Sequence, residues 1–462
     1  MGAREQLIDV KLGQAKEICE SLKSDLDRYE NRGRVTSAGE SIVEALRRGM
    51  HGLLGKLSQL ESSDQLSLLP INIIESRIHT ATRPIQTFIE ILSLLESSQI
   101  RDVPYEVASP LRKQIQELFP DSDLLVVSET QLNYSIIEIG KILKDQLSGL
   151  DCEIPDELPK RIFRVSIPSM TYKEALLVSI FGHEMGHPMY KKRDVEESIS
   201  VDVDKELLND YVKEKKKEKV KHGMSIEKPD IRKEITENIN NTIKNWIEEI
   251  YSDIFGLKIF GPSYVYAFVH FISNISRLDS SKSSHPPPRL RLKFLIEELE
   301  KSFSIYTATS NKTRSFVKEW REIGNKGVNF GEDEERIAYV SITKNETYNQ
   351  IVQLVDRHIP NDMRYEDDQF KFDLDNLITP IYNKVPPVEI KRKGQTETTG
   401  MVSILNSGWD SYIRGLEDFE EPSESKENEL SVFEDFNRFV LKSLELSDIR
   451  ESWNNASTNI GR

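Results

Sequence analysis

The sequence predicts a mostly α protein of the α+β class, with helical N- and C-terminal regions around a core that contains a small sheet. Three observations predict it. Apolar side chains recur at spacings of three and four through the first 150 residues, one stretch at 161–169 alternates like a half-buried strand, and long helical stripes resume after it. With 462 residues, 37% of them hydrophobic and 30% charged, the chain is long enough for two or three globular domains. The divisions it suggests are a helical N-terminal domain (1–150), a central domain (151–300), a helical region completing or covering the centre (301–420), and an acidic linker with a terminal helix (421–462).

The net charge of −15, from 62 basic and 77 acidic side chains, argues against nucleic acid as a partner, because phosphate binding needs a concentrated basic surface. The one basic run, KEKKKEKVKH at 213–222, reads as the solvated face of a helix or, on the rarer reading, as a binding patch. Two cysteines, Cys19 and Cys152, make no disulfide framework. The opening MGAREQ lacks an apolar signal core, and Gln6 stands where myristoylation needs Ser or Thr. No run reaches the ~18 apolar residues of a membrane helix; the nearest, 259–275, is interrupted by Gly261, Pro262 and His270. A soluble, cytoplasmic protein without a membrane span is expected.

Taken in order, Ile8, Leu12, Ala15, Cys19, Leu22, Leu26 and Tyr29 form a heptad seam. It suits either a long helix packed on its own domain or a coiled coil joining a partner protein or a second copy. A second helix opens at the capping box Ser37–Glu40 and carries Ile42, Leu46, Met50, Leu53, Leu57 and Leu60 on one face. Helices are expected at 70–96, bent near Pro84, and at 131–147. His51 and His79 in this region are expected to be structural or exposed. The strand at 161–169 has Phe163, Val165 and Ile167 on one side, and it offers either an ordinary sheet strand or a free edge to which an extended peptide adds.

Next, Thr171 and Glu174 make a capping box for an apolar helix that runs into FGHEMGHPMY at 181–190. His183, Glu184 and His187 have the order H-E-x-x-H. On a helix, residues four apart stand one turn above each other, so both imidazoles can face one metal while Glu184 lies about 100° round, placed to take a proton from water. Pro188 should stop or kink the helix after His187. The segment 191–230 is charged and partly helical, and a long helix follows with Ile235, Ile239, Ile243, Trp246, Ile247, Ile250, Ile254 and Leu257 as its stripe, ending near Gly261-Pro262.

A catalytic zinc usually takes three protein ligands. A third His six residues after His187 is absent, since that position is Arg193. EIYSD instead places Glu249 and Asp253 four apart, either as an exposed carboxylate pair, a description Glu248 fits better, or as functional groups. This resembles the E-x-x-x-D of gluzincin peptidases, which implies Glu249 as third ligand and Asp253 as the group orienting a ligating imidazole. SSHPPPRLRLKFL sets His285 before a proline run and Arg291 six residues on. Together with the chain order, it is similar to the S-T-H-P-P-x-x-x-R-I element of HtpX-type and CAAX-prenyl-type metallopeptidases. That resemblance, which covers roughly 160–300, implies a zincin-type core, an oxyanion role for His285 and a supporting one for Arg291; without it, His285 is a polar turn residue. Ser284 in place of Thr, a third proline and the lack of membrane helices depart from that pattern.

The expected function is therefore zinc-dependent hydrolysis of a protein or peptide substrate, with one zinc per chain on His183, His187 and Glu249. The alternatives are an effector protease regulated by a partner and a non-catalytic zinc-containing scaffold. Residues 301–420 carry no named motif; 383–401 reads as a long loop, 420–429 as an acidic linker, and 430–446 as an amphipathic helix with Val432, Phe433, Phe436, Phe439, Val440 and Leu444.

Overall fold

The structure, a computed structural model, describes residues 3–460 except 31–36, 64–67, 99–104, 131–133, 157, 172, 200, 222–230, 276–277, 280–281, 329, 331–332 and 417–428. The acidic linker and His222 of the basic run thus lie outside the described residues. Contacts divide the chain into two units, Met1–Tyr172 and Lys173–Arg462. The strand assigned above to the central domain belongs to the first unit, because both strands that hydrogen-bond it come from the N-terminal part of the chain.

The first unit contains α1 (Ala3–Glu30), α2 (Ser37–Glu61), α3 (Ile71–Ser97), α4 (Tyr105–Leu118), β1 (Ser122–Glu129), β2 (Ser135–Glu138), α5 (Gly140–Gly149) and β3 (Arg161–Pro168). The heptad seam of α1 is buried from Ile8 to Tyr29 and packs on α2 and α3. It is therefore spent inside this unit, which is the reading of a long helix packed on its own domain; the alternative, a coiled coil with a partner or a second copy through α1, is not supported. His51 and His79 are exposed.

This region is not wholly helical. β1 pairs parallel with β3 and β2 pairs antiparallel with it, in the order β1-β3-β2. β3 is the central strand, so from Phe163 to Ser166 both its edges are occupied and no peptide can add there. The residues 135–138 that were expected to open a helix form β2, and the helix begins only at Gly140.

The second unit begins with a 3-10 segment, Ala175–Ile180, in place of the expected helix, and no side-chain cap forms at Glu174. All six of its side chains are buried, and it is tied by Ser179 Oγ donating to Ser263 O at 3.0 Å and by Trp409 Nε1 donating to Leu176 O at 2.8 Å. Then follow α6 (Phe181–Lys192), α7 (Val195–Ser198), α8 (Lys205–Lys221), α9 (Ile231–Phe260), α10 (Pro262–Ile275), α11 (Pro288–Ser302), α12 (Ile305–Ala308), α13 (Asn311–Gly324), α14 (Asp333–Ile342), α15 (Asn345–His358), α16 (Asp367–Tyr382), the hairpin β4 (Glu389–Arg392) and β5 (Gln395–Thr398), α17 (Met401–Arg414) and α18 (Glu429–Ile460).

Three expectations are revised locally here. Of the stop or kink expected after His187, the stop does not occur: Pro188 lies inside α6, which continues to Lys192. An interior proline costs a helix about 3 kcal/mol, and burial of Met185, Met189 and Tyr190 on either side of it offsets that cost. The hairpin replaces part of the expected loop at 383–401, turning at Lys393 (φ 49°) and Gly394 (φ 83°), the left-handed pair a two-residue turn requires. The terminal helix runs to Ile460, well past 446, with Phe436, Val440 and Leu444 buried.

The rest matches the helical stripes. Every stripe residue of α9 from Ile235 to Leu257 is buried, and α9 ends at Gly261 with φ 66°. α14 and α15 pack against α9, and Asn406 of α17 bridges the α9–α10 turn, donating to Phe260 O and accepting from Ser263 N, each at 2.8 Å. Residues 301–414 thus back the helix that carries Glu249. The exposed face of α8 over Lys213–Glu218 fits the solvated reading of the basic run. No helix among the described residues is long and apolar enough to cross a membrane.

Candidate metal centre

The site is assembled where α6 and α9 run antiparallel in close contact. Glycine makes the approach possible. A Cβ on Gly182 would lie 2.8 Å from Gly256 Cα, and one on Gly186 only 2.5 Å from Ser252 Cα. His183 and His187 of α6 each follow one of these glycines, so the close approach carries both imidazoles onto the carboxylates of α9. The repeated G-H four residues apart, facing Ser252 and Gly256 four apart, was a signal present in the sequence.

His183 is buried, and its Nδ1 lies 2.9 Å from Asp253 Oδ1. His187 is half-buried, with Nδ1 at 2.9 Å from Glu248 Oε1. A carboxylate at Nδ1 accepts a hydrogen bond from the Nδ1–H, which leaves Nε2 with a free lone pair. Both Nε2 atoms then point at the same place: they are 3.1 Å apart, and Glu249 reaches them with Oε2 at 3.5 Å from His183 and Oε1 at 3.7 Å from His187. Three electron-pair donors facing one another repel unless a cation or a proton sits between them. Tetrahedral zinc with bonds near 2.0–2.1 Å needs ligand atoms roughly 3.3 Å apart, and the three separations bracket that value. His183, His187 and Glu249 could therefore hold a metal ion.

Arg291 is the electrostatic centre of the surrounding shell. It binds Asp253 through Nε to Oδ2 at 2.7 Å and Nη2 to Oδ1 at 2.6 Å, and its Nη1 lies 3.0 Å from Glu249 Oε2. The guanidinium rests over the Phe268 ring, 4.9 Å from its centre. Tyr264 donates its hydroxyl to Asp253 Oδ1 at 2.5 Å. Burial pushes the Asp253 carboxyl up, but Arg291 and His183 outweigh it and hold Asp253 well below the usual carboxylate range. Burial likewise opposes the charge on Arg291, which Asp253 and Glu249 more than restore. The guanidinium also borders an imidazole, with Nη2 3.2 Å from His183 Nδ1.

Glu184 is half-buried and accepts no hydrogen bond among the described residues. Burial raises its carboxyl, Glu249 adds to that, and His183, His187 and Arg291 partly counter it. A carboxylate raised from its usual range is a better proton acceptor at neutral pH.

His285 sits on a loop clamped to α9. Lys282 and His285 exchange backbone hydrogen bonds of 3.1 and 3.0 Å, Trp246 Nε1 donates to Lys282 O at 2.9 Å, and Asn245 Nδ2 donates to Ser283 O at 3.2 Å. Pro288 then opens α11, which carries Arg291 into the site. His285 Nε2 lies 3.6 Å from Glu249 Oε1 while 59% of the side chain stays exposed, so it borders the cluster on a side open to solvent. Burial, helped by Arg291, His183 and His187 and opposed by Glu249, lowers the imidazole and keeps it neutral. Ser284 Oγ is 2.8 Å from Nδ1; if the hydroxyl donates there, Nε2 carries the proton and faces the Glu249 side of the cluster as a donor.

All seven predicted site residues thus come together. Sequence reasoning missed Glu248, which was read as the exposed carboxylate but is held by His187 and by Lys191 Nζ at 3.6 Å from the same oxygen. Its carboxyl is accordingly lowered, the His187 hydrogen bond and charge and the Lys191 charge outweighing burial. Glu248→Ala is expected to weaken metal affinity about 10- to 100-fold, read by competition with a chelator dye; unchanged affinity would mean that His187 needs no carboxylate to orient it.

No family model, no curated protein and no solved structure matches this chain.

Proposed function

We propose that the protein is a zinc-dependent endopeptidase with a zincin-type catalytic core of the gluzincin kind, acting on a protein or peptide. The observation that carries this reading is the convergence of two carboxylate-anchored imidazoles and Glu249 on one point, with Glu184 on the same turn and His285 at the solvent side. Two imidazoles and a carboxylate favour zinc among the common divalent ions. When bound, zinc polarises a carbonyl and lowers the pKa of a coordinated water towards about 7. Glu184 accepts the proton of the attacking water and passes it to the leaving amine. His285 Nε2–H steadies the oxygen on which negative charge develops. Asp253 and Glu248 fix the imidazole tautomers, and Arg291 holds Asp253 and Glu249 in place.

The chain order H-E-x-x-H, E-x-x-x-D, H-P-P supports the kinship with HtpX-type and CAAX-prenyl-type peptidases, with proteins or peptides that need no membrane span as substrates. A purely structural site would have no use for a free Glu184 or for His285 at its open side. Purified protein should contain one zinc per chain and lose it in the His183→Ala, His187→Ala double variant; stoichiometric zinc in that variant, measured by elemental analysis, would refute the site. Comparing cleaved protein termini in cells expressing wild type or Glu184→Gln would then name substrates. His285→Ala should reduce kcat about 10²- to 10³-fold, as loss of one oxyanion donor does, with metal content and KM little changed. Loss of metal along with kcat would instead make His285 structural.

A further inference from the structure

The first unit holds a groove of about 710 Å³ between α2, α3 and the C-terminal end of α5, away from any residue of the metal centre in sequence. Its size is that of a small-molecule site. Its lining is chemically two-sided. Leu60, Ala81, Pro84 and Leu150 make an apolar wall, while Lys56, Arg77 and Arg83 bring three positive charges, and among the described residues no acidic side chain lines it. That local balance stands out in a chain of net charge −15.

Lys56 is anchored at the rim by donating to Gly149 O at 2.6 Å and by Asp151 at 3.1 Å. Arg77 and Arg83 are exposed and pair with no acid among the described residues. Pro84 is buried in α3, and a proline inside a helix frees the carbonyl four residues before it, that of Thr80, which also lines the groove. An apolar floor alone would take any hydrophobe. The unpaired guanidinium groups at its edge select charge, because a guanidinium forms forked hydrogen bonds with carboxylate or phosphate.

We propose that this groove binds an amphiphilic anion, a single carboxylate or phosphate head on an apolar chain, with the head at Arg77 and Arg83 and the chain along Leu60, Ala81, Pro84 and Leu150. The site is independent of the hydrolytic reading above. The test is calorimetric titration of the intact chain with octyl phosphate, octanoate, octyl glucoside and inorganic phosphate, each below its micelle concentration. Octyl phosphate or octanoate should bind once per chain, and whichever is tighter identifies the head group. Octyl glucoside and inorganic phosphate should each bind at least tenfold more weakly, since each has only half of the recognised chemistry. Arg77→Gln with Arg83→Gln, both on the surface, should weaken anion binding at least tenfold while thermal unfolding stays unchanged. Equal binding of octyl glucoside, equal binding by the double variant, or no binding of either octyl anion at millimolar concentration would overturn the proposal. A filled groove, in Ala81→Trp, should abolish binding even with both arginines present; retained binding would place the anion elsewhere.

Discussion

Glu184→Gln should keep the fold and one equivalent of metal and lose peptide hydrolysis by about 10²- to 10⁴-fold, the range that a general base contributes. The amide fills the same space but cannot accept a proton from water. The geometry makes this a clean substitution. Glu184 accepts no hydrogen bond among the described residues, and the three groups that could hold a metal ion are His183, His187 and Glu249, so replacing the carboxylate removes none of them and no buried partner. A steady-state assay on a cleaved peptide, with metal content measured on the same preparation, decides the matter. Turnover within a factor of three of wild type would remove Glu184 as the base and would leave Glu249 or His285 to be tested in its place.

The parts of this site that the sequence made legible are those set by local periodicity. His183 and His187 are four apart on α6, Glu249 and Asp253 four apart on α9, and helical geometry alone puts each pair on one face. What could not be read is what two helices decide together. Glu248 stands about 100° from Glu249 and outside the apolar stripe, so alone it looks solvated; only the close crossing allowed by Gly182 and Gly186 brings His187 to it. The α1 seam is ambiguous for the same reason, since a heptad stripe buried against α2 and α3 has the same pattern as one buried against a partner. β1 was missed because its apolar part, Leu124 to Val127, is a run of only four residues without alternation, and such a run has no period to distinguish a strand from a helix. The β4–β5 hairpin was missed for the opposite reason, its strands being mostly polar and exposed.

Arg291→Met should destabilise the protein by about 3–5 kcal/mol, the usual consequence of leaving one member of a buried ion pair without its partner. Methionine approximates the length and apolar stem of arginine, so the contact with Phe268 is largely kept and the loss reports the charge. Asp253 and Glu249 are the groups left behind, Asp253 with the larger loss. In the wild type Arg291 holds Asp253 ionised with two hydrogen bonds, and in the variant only His183 and Tyr264 remain beside that buried carboxylate. The sign of the pH dependence should change with it. A carboxyl held below its ordinary range stabilises the fold above an unfolded pKa of about 4, and that stabilisation is lost as pH falls through the folded value. Without Arg291, burial should raise Asp253, so the variant should regain part of its lost stability as pH is lowered towards 5, where wild type gains none from this group. Denaturant unfolding at pH 7 and pH 5 on both proteins, each stripped of metal, reads the effect. A loss below 1 kcal/mol at pH 7 would mean that Asp253 is solvated or protonated in the native protein and that Arg291 does not hold the metal centre together.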